Sequence, residues 1–275
     1  MPKLRAPTRR AIVLPAIHPN AGVEAAYRKR LVQEIDLMSR SVIYWVRAAW
    51  KKDDPALASM KLDAMGEDAA PIKALRAAMI KLGNHWRKRF DALAPELAKV
   101  FANGATSTTD KAFSAALAKA GFSVPFKLTD ASKEAYQAII QENISLIKSI
   151  PEQYLGRVEG DVWRAVAGGY DLEKLTNDLQ NNYGVTQRRA AFIAKDQAAK
   201  AKATIEQARR MELGIEEAIW AHSRAGQEPR PSHVAADGKR FKVAQGCYID
   251  GEFIQPGEKI RCRCGSKAVI PGLDD

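Results

Sequence analysis

Apolar residues near the start of the chain recur at intervals of four and three, which is the spacing of one face of an α-helix. The first such stripe comprises Tyr27, Leu31, Ile35, Met38, Val42, Trp45 and Ala49. It is sustained for about three heptads, and polar residues occupy most of the positions between its members. The pattern predicts a long amphipathic helix.

A second stripe follows Pro71, a residue type that suits the first turn of a helix. Its members are Ile72, Leu75, Met79, Leu82, Trp86, Leu93 and Leu97. We expect the two stripes to pack together, and we expect Pro95 to kink or end the second helix because proline lacks an amide hydrogen. Trp86 stands beside a basic run at residues 87–89, so it is a candidate for base stacking. Its place on the stripe favours packing in the core.

Residues 102–110 are small and polar and show no periodicity, which predicts a loop or exposed linker. A short helix over about residues 111–120 should end at Gly121. Thr129 or Asp130 can cap the next helix, which should run towards Pro151.

Helical spacing continues beyond that proline and across a break at Gly168 and Gly169. We expect Gly184 to separate this part from a last, basic helix over about residues 186–212, which stops at Gly214. The remaining residues are rich in turn signals. They include Pro231, which biases Arg230 towards an extended conformation, and glycines at Gly226, Gly238, Gly246, Gly251 and Gly257.

The chain is therefore predicted to be an α+β protein, mostly α-helical in its N-terminal and central regions, with a small β-rich C-terminal module. We divide it into a basic N-terminal arm (1–20), a helical region (21–101), a linker with a short helix (102–129), a second helical part (130–214) and the module (215–275).

Composition limits the class of protein. The 275 residues are 46% apolar, enough for a buried core, yet no run approaches the roughly 20 apolar residues that a membrane span needs. The N-terminal stretch does not have the apolar run of a secretory signal, so we expect the chain to remain in the cytoplasm where it is made. All three cysteines lie after residue 246, and a reducing compartment disfavours a disulfide framework.

A net charge of +11 favours polyanionic partners. Two segments carry the excess: the arm, through Lys3, Arg5, Arg9 and Arg10, and residues 188–210, which have seven basic residues including Arg188, Arg189 and Lys195. The second cluster also fits an ordinary solvated helix face. Since no sequence-reading motif is present, we expect binding to double-stranded DNA to be non-specific.

The cysteines have two possible roles. Cys262 and Cys264 stand two apart on an expected strand and so point to one face, and with Cys247 and either His233 or His222 they are candidates to bind zinc. The alternative is that they are small buried side chains that complete the module's core. We expect no bound cofactor. Catalysis by a thiolate activated by His233 and oriented by Asp237 is a weaker hypothesis, because a histidine and an aspartate four apart are more often a local hydrogen-bonded pair. We do not expect the chain to be an enzyme.

The order of the C-terminal residues resembles the Mu F-like minor head proteins of tailed bacteriophages. The resemblance covers about residues 130–270 and depends on Arg230, Ser232, His233, Asp237, Gly238, Pro256, Gly257, Cys262, Arg263 and Cys264. Upstream, Arg189, Ile193 and Trp220 fall where the family has a basic helix and a tryptophan-bearing strand. The chain departs from the family at Asp196 and Gln197, where threonine and glutamate are usual.

The resemblance implies a virion protein that joins the procapsid near the portal, after assembly in the host cytoplasm. Its expected partners are portal or inner capsid proteins and packaged DNA, with which it would be ejected. The family motif is expected to stabilise the module. Two rival hypotheses remain, a non-specific nucleic-acid-binding protein and a cysteine and histidine enzyme or toxin.

Overall fold

The computed structural model describes residues 11–52, 70–126, 129–168, 171–224 and 228–271. Four long helices account for most of them: α1 (Ala21–Lys52), α2 (Ala70–Lys119), α3 (Asp130–Ala167) and α4 (Leu172–Glu212). Short strands follow, so the α+β class is confirmed. Among the described residues, none of the helices combines the length and the apolar character needed to cross a membrane.

The predicted stripe forms the buried face of α1, with one correction. Tyr27, Leu31, Ile35, Met38 and Val42 are buried as expected. The stripe then steps by four to buried Val46, and Trp45 is 54% exposed. Ile35 and Val46 are 11 residues apart, which is about three turns of a helix with 3.6 residues per turn, so both lie on the buried face.

Helix α2 is continuous through Pro95 and through residues 102–110, so it does not end at the proline, and the loop expected over residues 102–110 is wrong. Phe90, Ala94, Phe101 and Ala105 are buried on either side of the proline, while Pro95 itself is exposed. Burial of this face outweighs the cost of one proline, which is about 3 kcal/mol. The small residues permit close packing, since a Cβ built on Gly104 would lie 3.3 Å from the Val23 side chain.

Helices α3 and α4 likewise run through expected ends. Helix α3 continues past Pro151 to Ala167, and α4 is unbroken at Gly184. Polar contacts join the two helices around this glycine: Asn182 donates to the Asp161 carboxylate, and Arg157 donates to Thr186 Oγ1 at 2.9 Å. These contacts stabilise helical structure on both sides of Gly184.

The chain forms two compact units that interleave along the sequence. One comprises residues up to Glu24, 99–140 and 195–275, and the other comprises 25–98 and 141–194. All four long helices contribute residues to both. In the second unit, an ion pair at 2.8 Å between Glu34 and Arg89 joins α1 and α2. Trp86 is buried in the core, as its place on the second stripe indicated.

The first unit contains two antiparallel sheets and a short helix, α5 (Pro231–Ala235). One sheet has the order β1-β6-β2-β3, built from β1 (Ile12–Val13), β6 (Gly265–Ile270), β2 (Glu217–Ala221) and β3 (Arg240–Lys242). The other is a hairpin of β4 (Cys247–Ile249) and β5 (Glu252–Ile254).

Strand β1 corrects the picture of a basic arm over residues 1–20. Ile12 pairs with Ile270 and Val13 with Val269, so part of the expected arm is an edge strand of the sheet. Leu14 and Ile17 then enter a buried cluster with Phe113 and Ala268. The four charged positions Lys3, Arg5, Arg9 and Arg10 lie outside the described residues.

Candidate functional site

His233 is positioned by the short helix α5. Arg230, the residue before the helix, has φ −65° and ψ 127°, which is the extended conformation that a following proline favours. Pro231 then occupies the first helical turn, where its missing amide hydrogen has no cost. His233 is 4% exposed and points into the module.

The two cysteines come from an extended segment before β6. The expectation of a strand at these residues is wrong, because β6 begins at Gly265. The alternation nevertheless holds: Cys262 and Cys264 are buried and Arg263 between them is exposed. Both thiols therefore point to one face, as the sequence indicated.

These side chains meet at a single point. His233 Nδ1 lies 3.5 Å from Cys262 Sγ and 3.8 Å from Cys264 Sγ. The three atoms all lie within 4.8 Å of one another, and we call this group the three-donor cluster. The Trp220 ring packs edge-on against the imidazole, with centroids 5.3 Å apart.

Cys247 and His222 are not part of this group among the described residues. Cys247 is buried in the same hydrophobic cluster as Trp220 and the other cysteines. Of its two predicted roles, the structure therefore matches that of a core side chain. Burial raises the pKa of its thiol. The ring of His222 accepts a hydrogen bond from the Arg224 amide at 3.3 Å.

The two thiols of the cluster have opposite pKa shifts. A hydrogen bond from Cys264, helped by backbone donors and by His233, lowers the pKa of Cys262. The same hydrogen bond and burial raise the pKa of Cys264. One thiolate is therefore stabilised by the proton on its neighbour, so the pKa values belong to the pair of thiols as a unit.

Asp237 does not orient His233. Its carboxylate accepts a hydrogen bond from the His222 amide at 2.9 Å and lies 3.8 Å from the Arg224 guanidinium. The local pair expected between His233 and Asp237 is thus replaced by a turn contact. Gly238 next to it has φ 82°, and its amide donates to the Trp220 carbonyl at 2.9 Å, which closes the turn back onto β2.

Arg230 and Ser232 join α5 to the rest of the module. The Arg230 guanidinium donates to the Ile260 carbonyl at 2.8 Å, just before Cys262. The Ser232 hydroxyl donates to the Asp250 carboxylate at 2.7 Å, in the turn between β4 and β5. Both contacts hold the helix that carries His233 against the segments around it.

Pro256 and Gly257 form a buried turn against α4. Gly257 has φ +99°, and a Cβ built on it would lie 3.2 Å from Ala203 Cβ and 3.3 Å from the Ala199 carbonyl oxygen. Only glycine combines this conformation with so close an approach. The turn therefore fixes the distance between the module and α4.

Asp196 is a site residue that sequence reasoning did not identify. The Arg261 amide donates to its carboxylate at 2.7 Å, and Arg261 has φ 63°, so the aspartate stabilises the turn that leads into Cys262. This is one of the two positions where the chain departs from the family pattern. In the sequence, only this departure from the family pattern singled out Asp196.

The basic cluster at residues 188–210 is only partly solvated. Lys202, Glu206 and Arg210 form a buried ladder at intervals of four, with Lys202 Nζ 3.0 Å from the Glu206 carboxylate and Arg210 donating to Ser266 Oγ at 2.7 Å. Arg209 is also buried and binds both carboxylate oxygens of Asp110. The idea of a uniformly solvated face is therefore wrong, although the repeated spacing was visible in the sequence.

The three residues of this helix predicted to contact DNA differ in exposure. Arg188 and Lys195 are exposed. Arg189 is half-buried and donates to Ser149 at 2.9 Å, and burial together with Arg157 lowers its pKa.

The fold and the site thus define a long helix that carries a small antiparallel module, closed by a histidine and two cysteines. Residues 156–266 match the family model described as Phage Mu protein F like protein. The match begins within α3 and ends in β6, so it includes α4, α5 and the three-donor cluster. The resemblance found in the sequence is confirmed over these residues.

A protein of Haemophilus influenzae (strain ATCC 51907 / DSM 11121 / KW20 / Rd), described as uncharacterized, is 36% identical over 142 residues. The aligned part is 52% of this chain and 30% of that relative, so the chain spans less than a third of the relative's length. No solved structure matches the chain.

Proposed function

We propose that this chain is a minor head protein that takes part in procapsid assembly at or near the portal, binds packaged DNA without sequence preference and leaves with it during ejection. The match of residues 156–266 to the phage Mu F-like family supports this proposal most directly. The proposed role of the family motif is structural, since Arg230 and Ser232 join segments of the module and Gly257 allows its close packing against α4. Catalysis is not part of the proposed function.

An exposed apolar face on α1 supplies a means of docking on the portal or on an inner capsid protein. Leu37, Tyr44 and Trp45 are about half exposed or more, and their spacing of seven and eight places them on one side of the helix. Tyr44 and Trp45 also contact each other edge-on, with ring centroids 5.1 Å apart. We call these three residues the α1 aromatic surface. Large exposed aromatic side chains are typical of the centre of protein interfaces.

Binding to DNA is supported by charge. The net charge is +11, and Arg188 and Lys195 are exposed on α4. Buried Lys202, Arg209 and Arg210 are paired within the protein, so they are not included among the groups that would neutralise phosphates. The positively charged N-terminal residues Lys3, Arg5, Arg9 and Arg10 complete the proposed set.

Co-expression with the cognate portal protein or major capsid protein, followed by size-exclusion chromatography, tests the docking proposal. We expect the wild-type chain to co-elute with one of them and Trp45→Asp to lose at least most of the complex, because a carboxylate would be desolvated at the interface. Val100→Asp is the matched control: it places the same charge at an exposed aliphatic position on a different helix, α2. Circular dichroism of each variant checks that the helices are intact.

Co-elution that is equal for wild type and Trp45→Asp would contradict docking through the α1 aromatic surface. Absence of any complex with portal or capsid protein would contradict the assembly role itself and favour a non-specific nucleic-acid-binding protein. The enzyme or toxin hypothesis would be supported instead if His233→Ala abolished a turnover or a toxicity that the folded wild type displays.

A further inference from the structure

We propose that the three-donor cluster is a zinc site, with His233 Nδ1, Cys262 Sγ and Cys264 Sγ as ligands. The two sulfur-to-nitrogen separations already match those of a zinc site. Zinc binds sulfur at about 2.3 Å and imidazole nitrogen at about 2.0–2.1 Å in a tetrahedron, which requires sulfur-to-nitrogen separations of about 3.6 Å. The observed separations are 3.5 and 3.8 Å.

The donor set is also the one that zinc prefers. Two thiolates and a neutral imidazole are borderline to soft ligands, and Zn²⁺ is bound by such sets in both structural and catalytic sites. Binding would displace the thiol protons into solvent and leave both sulfurs negatively charged, so that the ion and two thiolates are together neutral. A neutral group is compatible with the buried position of all three side chains.

The site has a clear structural use in this module. His233 comes from α5, whereas Cys262 and Cys264 come from the turn-rich segment that leads into β6. The strands around them contain three to six residues each, so the module has little regular structure of its own. A metal bond between α5 and the segment before β6 would stabilise both, as structural zinc does in other small domains.

The chain supplies three ligands, since the described residues offer no fourth histidine, cysteine or carboxylate within the group. Solvent completes the tetrahedron. The nearby Trp220 ring covers one side of His233 and orients the imidazole. Cys247, although buried in the same hydrophobic cluster, is not a ligand in this proposal.

Metal analysis of the full chain, purified without chelator from zinc-supplemented medium, tests the site. We expect close to one zinc per chain for the wild type. Cys264→Ser and His233→Ala should lose the zinc, because each removes one of three ligands. Cys247→Ser is the matched control: it changes a buried cysteine of the same module and should retain the metal.

Cobalt(II) added to the metal-free, reduced wild type gives a second measurement that does not depend on any variant folding. We expect the visible absorption of tetrahedral cobalt together with a near-ultraviolet thiolate-to-cobalt band. The proposal is overturned if the wild type carries no zinc and shows no such bands. It is equally overturned if Cys247→Ser loses the metal to the same extent as Cys264→Ser, or if intact-mass analysis of freshly purified protein shows a disulfide between the cysteines in place of a metal.

Discussion

Single residues in the C-terminal module act mainly by fixing backbone conformation. Gly238, Gly246, Gly251 and Gly257 all have φ between 82° and 99°, as their turn contexts indicated. Arg261 adopts a left-handed conformation without being glycine, and the hydrogen bond from its amide to Asp196 supports it. The cysteines of the three-donor cluster follow directly after this turn and precede β6.

Gly257→Ala should destabilise the module. The added Cβ would meet Ala203 at 3.2 Å and the Ala199 carbonyl oxygen at 3.3 Å, in a backbone conformation with φ +99°. We expect a loss of about 1–3 kcal/mol in the free energy of unfolding, measured by urea denaturation followed through tryptophan fluorescence.

Gly156→Ala is the matched control for that change. Gly156 is an exposed interior residue of α3, and a Cβ there would meet nothing within 4 Å. Alanine should leave stability unchanged or raise it by about 0.5–1 kcal/mol, since glycine weakens a helix interior. Equal effects of the two substitutions would contradict the close approach at Gly257.

At the scale of elements, the helices are longer than local rules predict. Pro95, Pro151 and Gly184 are all residues that interrupt helices in isolation, yet each lies inside one. Buried side chains flank these positions in every case. The free energy of packing two or more turns on each side exceeds the local cost of one proline or glycine.

The ladder in α4 gives the clearest prediction for an element. Glu206 is the carboxylate between Lys202 and Arg210, and all three are buried. Glu206→Gln would leave two buried positive charges without a negative partner, and we expect it to destabilise the protein by about 3–5 kcal/mol. Chemical denaturation of the full chain measures the change.

Glu217→Gln serves as the control, because it removes a carboxylate from an exposed pair. Glu217 lies 3.2 Å from Arg240, and both side chains are about half exposed. Solvent screening limits such pairs to about 0–1 kcal/mol. If Glu206→Gln cost no more than Glu217→Gln, the buried ladder would have no role in stability.

For the whole molecule, the distribution of charge matters more than its sum. The net charge is +11, but three of the seven basic residues at 188–210 are buried and paired. The free charge of α4 is therefore smaller than the sequence indicated. This shifts the expected binding of DNA towards the N-terminal residues.

Removal of residues 1–10 should weaken binding to duplex DNA in a salt-dependent way. The deletion takes away Lys3, Arg5, Arg9 and Arg10. The slope of log affinity against log salt should flatten by up to about 0.9 for each DNA phosphate that the shortened chain no longer neutralises, with little dependence on DNA sequence. Fluorescence anisotropy across a salt series measures it.

A double variant, Arg188→Gln with Lys195→Gln, tests the exposed part of α4 in the same assay. We expect a smaller flattening than for the deletion, because only two charges are removed. If the full-length chain shows no salt-sensitive binding even at low ionic strength, the net charge serves protein interactions and the DNA proposal is wrong.

Local properties of the sequence were sufficient for a definite part of this structure. The buried face of α1 up to Val42, the turns at glycine, the extended Arg230 and the class of fold all follow from residue spacing or from the conformations open to one residue. The resemblance to the Mu F-like family likewise depends on the order of residues, and the match over residues 156–266 confirmed that resemblance.

Tertiary structure decided what depends on residues far apart in the chain. The continuity of α2 at Pro95 requires buried neighbours, and the ladder of Lys202, Glu206 and Arg210 becomes internal only when β6 packs on α4. The choice of His233 over His222, and the exclusion of Cys247 from the three-donor cluster, depend on where α5 and the segment before β6 meet. Sequence spacing specifies which side chains share a face, whereas their distance from a partner some thirty residues away is set by packing.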